Sequence, residues 1–209
     1  MDRYGHELNR LKPIFLQAAA SFAQTIRPND KNREIIAALH TEFNAWLTAR
    51  PWHARADRYL GVHVRRGDRF GSSWAYHNQH LPIALYAQAI RKTWSRPPQA
   101  PAETPSSTNK AASAKQQPVV YLACDDPAVH EELEENLGSG IVFSLARSEA
   151  PMLRDLASPR AYVQAQFDAL SDEQRIHQTR GMLADFAMIS GMWTKPDTLA
   201  PEAVVCGMR

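Results

Sequence analysis

Residues 59–64, Tyr-Leu-Gly-Val-His-Val, make a short β-branched apolar run that gives way at once to Arg65-Arg66-Gly67-Asp68. A run this short, bounded by charge, reads as a buried strand whose polar successors begin the turn at its carboxyl end. The pattern then repeats along the chain. A helical period covers residues 82–94, a second apolar run residues 119–123, a helix residues 127–137 and a third run residues 141–144. Helical patterns fill most of 158–192, and a last run at 203–206 reads as a strand. Strands alternating with helices imply an α/β fold, a Rossmann-like parallel sheet with helices on both faces. In such sheets ligands bind outside the carboxyl ends of the strands.

Two amphipathic patterns precede the sheet. Leu8, Leu11, Phe15, Ala18, Phe22 and Ile26 recur at steps of three and four, with the secure helix expected over 13–26 because Pro13 would kink an interior. After the break at Arg27-Pro28-Asn29-Asp30 a second stripe runs through Ile35, Ile36, Leu39, Phe43, Trp46 and Leu47. Neither helix buries its stripe alone, so residues 1–55 are expected to form a helical unit packed on a sheet domain of residues 56–209. Within that domain residues 96–118 interleave Pro97, Pro98, Pro101, Pro105 and Pro118 with small and polar residues, the composition of a disordered insertion.

Composition narrows the function classes. A net charge of +2 leaves no polybasic footprint for nucleic acid. No apolar run is long enough for a membrane helix, and the start, Met1-Asp2-Arg3-Tyr4, carries no apolar signal core. Cys124 and Cys206 are too few for a disulfide framework and, lying in apolar runs, read as buried thiols. HExxH, the P-loop, GxGxxG and any Asp-x-Asp are absent, so the common metal and phosphate-loop motifs do not apply.

The chemistry concentrates at strand ends. With a strand period of two, His63 and Arg65 share one face, and Arg66 and Asp68 begin the turn. Arginine forks suit bidentate contact with phosphate, which makes a diphosphate a natural partner. The plainer alternative is that Arg65 or Arg66 pairs with Asp68 or Asp126 inside the fold; an integrin-type reading of Arg66-Gly67-Asp68 fits a strand end poorly. At the end of the second strand, Asp125 and Asp126 could accept from ribose hydroxyls or a base, although Asp126 before Pro127 also has the form of a helix cap. Ser171-Asp172-Glu173-Gln174 reads as a capping box. The helix it opens is expected to bury Leu183, Phe186 and Ile189. Asp185 lies inside that stretch, either as a surface residue between core positions or as an acceptor matched to adjacent N–H donors such as those of guanine.

Taken in order, His63-Val64-Arg65-Arg66-Gly67-Asp68, then Val120-Tyr121-Leu122-Ala123-Cys124-Asp125-Asp126, then Arg180-Gly181-Met182-Leu183-Ala184-Asp185 with Val204-Val205-Cys206, resemble the three motif regions of GDP-fucose-dependent fucosyltransferases. The similarity is to the α1,6-, α1,2- and protein O-fucosyltransferase superfamily, and most to fungal fucosyltransferase-like proteins. It covers roughly residues 58–206, with His-x-Arg-Arg-x-Asp its most specific element. The resemblance implies the nucleotide-sugar-binding half of a GT-B glycosyltransferase, with the two leading helices at the junction to an acceptor domain. It assigns Arg65 as the catalytic arginine on the donor's β-phosphate. It places His63, Arg66, Asp68, Asp125, Asp126 and Asp185 around GDP-fucose, with Asp185 reading guanine. The implied reaction transfers fucose with inversion to a glycan or glycoprotein hydroxyl, with no metal and no cofactor besides the donor substrate.

The sequence departs from that family in two places. Residues 69–73, Arg-Phe-Gly-Ser-Ser, offer no glutamate as base, leaving His77, His80 or a group outside this segment. The Ser/Thr-rich loop expected after the last strand has no counterpart before Arg209, so the chain is expected to be a fragment or a shortened product. An inactive nucleotide-sugar-binding relative, or an α/β module whose arginines only pair internally, stand as the alternatives. A Golgi or endoplasmic reticulum site follows from the resemblance alone, with any membrane attachment supplied by a missing amino-terminal segment.

Overall fold

The computed structural model describes residues 8–50, 58–67, 81–95, 117–193 and 199–206. Each apolar run becomes a strand: β1 (Tyr59–Val64), β2 (Val120–Cys124), β3 (Val142–Phe143) and β4 (Pro201–Cys206). All three pairings are parallel and the spatial order is β3-β2-β1-β4. Parallel neighbours need long crossovers, and these carry the helices. α3 (Ile83–Trp94) joins β1 to β2, and α4 (Ala128–Leu137) joins β2 to β3. The return to β4 runs through α5 (Pro151–Arg154), α6 (Gln164–Asp168) and α7 (Asp172–Ser190), while α1 (Leu8–Thr25) and α2 (Asp30–Thr48) precede the sheet. The chain is therefore mixed α/β around a four-stranded, all-parallel sheet.

Register sorts the side chains. Tyr59, Gly61 and His63 of β1 share a face with Tyr121 and Ala123 of β2, Phe143 of β3, and Val204 and Cys206 of β4. α7 and α2 cover this face. The Tyr59 hydroxyl donates to the Met188 carbonyl at 2.6 Å, and the Phe43 ring of α2 lies 5.0 Å from Tyr59, 5.7 Å from Tyr121 and 5.4 Å from Phe143. The other face, with Leu60, Val62, Val64, Val120 and Leu122 all buried, is covered by α3 and α4 packed on one another. Burial on both faces is why these strands read as continuous apolar runs.

Two glycines set how closely α7 approaches. A Cβ at Gly61 would stand 3.0 Å from Ile189, and one at Gly181 would stand 2.1 Å from the Leu156 carbonyl oxygen. The face of α7 that is buried consists of Gly181, Ala184, Ala187 and Met188. This corrects the expected stripe: Phe186 is exposed, and Leu183 and Ile189 are half-buried. α7 is wedged between the sheet and the residue 156 loop, so Gly181, Ala184 and Ala187 face inward beside Met188. Its ends follow the sequence, with a complete Ser171/Gln174 capping box and Gly191 left-handed at φ 67°.

Other boundaries move. Residues 158–163, within the stretch expected to be mostly helical, are irregular with a bend at 159–160, and the Tyr162 N–H donates to the Asp125 carbonyl at 2.9 Å rather than to a preceding turn. α1 begins before Pro13 and holds it in its interior, and its Phe22 ring meets Phe186 and Trp193. α2, capped by Asn29, belongs to the same core as the sheet. The expected boundary near residue 55, the bulk of the proline-rich insertion, and Asp68, His77 and His80 lie outside the described residues.

Candidate functional site

At the β1/β4 neighbourhood the chain leaves β1 into a helix on one face and reaches β4 from α7 on the other. Such a reversal opens a crevice beyond the carboxyl ends of the strands. A cleft of about 680 Å³ is found there. Its walls come from all four strand ends: His63 and Arg65 at the end of β1, Cys124 and Asp125 at the end of β2, Ser144 after β3, and Cys206 at the end of β4. Asp185 and Phe186 of α7 close one side, and Tyr162 and Gln164 another.

The polar residues of the first two motifs divide sharply. The Asp125 carboxylate accepts from the backbone N–H of Arg66 at 2.7 Å and of Gly67 at 3.2 Å, clasping the turn after β1. Gly67 lies so close under the crossing chain that a Cβ there would stand 2.1 Å from the Tyr162 carbonyl oxygen. The Arg66 guanidinium turns away from the cleft onto α4, fork to fork with Glu132, which raises its pKa further and keeps it charged. The internal pairing open for the two arginines is thus realised by Arg66, with a partner the sequence did not suggest. Asp126 accepts from the Ala128 N–H at 3.1 Å in a turn just ahead of α4, whose N-cap is Pro127 and not the expected Asp126, and it does not line the cleft.

What faces the cleft is a smaller set. Arg65 is exposed at its mouth, and half-buried His63 lies beside it on the face shared with Cys206. Asp185 forms the floor, where it accepts from the Tyr121 hydroxyl at 2.7 Å. Burial raises its carboxyl to about 7, against the opposing pull of that hydrogen bond. Tyr121 itself is fully buried and pushed upward, by burial and then by the charge of Asp185, so it remains a donor. A carboxyl so placed is not a surface residue between core positions. It is a titratable acceptor with a fixed orientation at the bottom of an apolar-walled cleft.

Four contributors were not legible in the sequence. Ser144, buried beside the cleft, is 2.9 Å from His130 Nδ1, and burial lowers the imidazole pKa of His130. Tyr162 and Gln164 arrive from the segment that reads as helical. Cys206 is exposed, contrary to its reading as a buried thiol, because β4 is an edge strand whose outer residues Val204 and Cys206 extend past the cover of α7. Among the described residues no three His, Cys, Asp or Glu side chains are grouped to hold a metal ion, and no helix is long and apolar enough to cross a membrane.

Compared with known proteins, the chain matches no family model, no curated protein and no solved structure.

Proposed function

We propose that this chain is the donor-binding half of a GDP-fucose-dependent fucosyltransferase, a Rossmann-like unit of GT-B type. The observation that carries the reading is the pairing, in one cleft, of an arginine at the mouth with an oriented carboxyl at the floor. The strand order supports it, being that of the first four strands of a doubly wound dinucleotide-binding sheet. Fucose would leave a guanosine diphosphate whose base lies toward Asp185 and whose phosphates lie toward Arg65. Charge building on the departing diphosphate is met by the guanidinium, a donor aimed at the transition state. His63 lines the same path. Arg66, Asp125 and Asp126 then act as scaffold, holding the turn and the start of α4. The acceptor, a glycan or glycoprotein hydroxyl, and a Golgi or endoplasmic reticulum site belong to this reading as consequences of the resemblance.

Binding measured by titration calorimetry separates the two ends of the ligand. GDP, GMP and UDP are titrated into the wild type, Arg65→Ala and Asp185→Asn. Arg65→Ala should remove the advantage of GDP over GMP, and Asp185→Asn the advantage of GDP over UDP. Absence of binding by a folded wild-type chain, or equal weakening of all three nucleotides by both substitutions, contradicts the reading.

A further inference from the structure

The cleft holds two thiols, and the proposed function uses neither. Cys206, the last residue of β4, is exposed, and its Sγ lies 3.5 Å from His63 Nδ1 across the β1/β4 register. Both side chains line the cleft, so a molecule bound there meets a sulfur and an imidazole together. Cys124 lines the same cleft in the opposite condition. Its thiol donates to the Asp126 carbonyl at 3.3 Å, and burial, reinforced by the charge of Asp185, pushes it up to about 12. Thiolate is the reacting species in thiol chemistry, so Cys124 is held in its inert form. Cys206 is the more exposed of the two, and it has an imidazole within hydrogen-bond reach. A cleft of about 680 Å³ is roomy enough for a small molecule to reach it.

We infer that Cys206, with His63 as its proton acceptor, is a thiol-modification site for low-molecular-weight disulfides, and that the resulting mixed disulfide stands in the cleft and closes it. The exchange balances without any further oxidant. The Cys206 proton passes to His63 as Sγ attacks one sulfur of the incoming disulfide. A new S–S bond forms to that sulfur, the old one breaks, and the second sulfur leaves as a thiolate that takes up the proton. A free thiol attacking the mixed disulfide reverses the step and reopens the cleft. The reactivity itself does not rest on the nucleotide reading; only the consequence of closure does.

The test uses the full chain carrying Cys124→Ala or Cys206→Ala, so that one thiol remains in each. Rates are followed with 5,5′-dithiobis(2-nitrobenzoate) and with oxidised glutathione at pH 7, and each adduct is located by mass spectrometry. Cys206 should react at least about tenfold faster than Cys124, and His63→Asn should slow Cys206 by about tenfold or more while leaving Cys124 unchanged, as removal of a positioned base does. Equal rates for the two thiols in a folded chain, or a Cys206 rate indifferent to His63→Asn, overturn the assignment. If His63→Asn does not fold, the pH profile of wild-type Cys206 decides: an inflection in the imidazole range supports it, and a profile following the thiol alone refutes it. Closure is read separately. Chain modified at Cys206 should lose the thermal stabilisation that GDP gives the unmodified chain, and retained stabilisation refutes closure. An unmodified chain that GDP does not stabilise counts against the nucleotide reading and leaves the thiol rates to judge the site.

Discussion

The turn after β1 and the floor of the cleft are built from the same kinds of residue and do opposite things with them. In the turn the polar groups are consumed internally: Asp125 by two backbone N–H groups, the Arg66 fork by Glu132. At the floor, Asp185 accepts from Tyr121 alone among the described residues, and its carboxyl lines the cleft. The first arrangement fixes where Arg65 leaves the strand. The second leaves a carboxyl only partly satisfied, close to the pH at which it changes charge. Polarity at a strand end is therefore no sign of a ligand contact until its partners are counted.

That contrast can be broken from either side. Under the proposed function the largest effect expected is on transfer: Arg65→Ala should lower fucose transfer by about a hundredfold or more, equivalent to roughly 2.7 to 4 kcal/mol of barrier. The same change on an exposed side chain should move unfolding free energy by no more than about 1 kcal/mol. The turn should show the reverse. Gly67→Ala forces a methyl into the Tyr162 carbonyl and should destabilise the fold by about 3 kcal/mol, read by urea unfolding. Asp125→Ala, which strips two backbone donors of their acceptor, should cost about 2 kcal/mol by the same measure. Neither should alter the base preference of the chain that remains folded. A turn substitution that changed preference and spared stability would erase the distinction between the regions.

Acidity probes the floor directly. The folded pKa of Asp185 lies above its unfolded value, so its contribution to stability is fully present below about pH 4 and is lost as pH rises through about 7. On that account the loss is on the order of 4 kcal/mol, and Asp185→Asn should flatten this limb and stabilise the chain at pH 7.5. A ligand that needs the ionised carboxylate should bind more weakly below pH 7, by about tenfold per unit. The smallest effect comes from α2. Among the described residues neither ring nitrogen of buried His40 finds a partner, and burial lowers its pKa. Its contribution has the opposite sign, present above about pH 6.5 and lost as pH falls. His40→Leu should therefore stabilise the chain by about 1 kcal/mol, most clearly in acid.

The sequence carried the fold well where a single period dominates. The four strands, α2, α3, α4 and the capping box of α7 lie where the apolar runs and turn residues put them, because each obeys one local rule. It failed where two surfaces compete for one helix. α7 packs on the sheet and against the residue 156 loop, so its buried face is written in Gly181, Ala184 and Ala187, which no hydrophobic count marks as core. The site was half legible for a similar reason. Strand ends predict that His63 and Arg65 gather at the cleft, and the helical stretch around residue 185 offers Asp185, but neither pattern says which polar groups already have partners. Glu132 lies 66 residues beyond Arg66, and only the seating of α4 beside the β1 turn brings the two together. Cys206 was misread because its run is apolar; that β4 is an edge strand is a property of the sheet, not of the run.

The central claim, a guanine-nucleotide cleft floored by Asp185, is tested most directly by the thermal unfolding midpoint with GDP, ADP and UDP added separately at equal concentration. A ligand at 100 times its dissociation constant adds about 2.7 kcal/mol, a rise of roughly 5 to 10 °C for a chain of this size. The account predicts that GDP alone gives this rise and that Asp185→Ala abolishes it. A folded chain whose midpoint moves with none of the three, or equally with all, would contradict it.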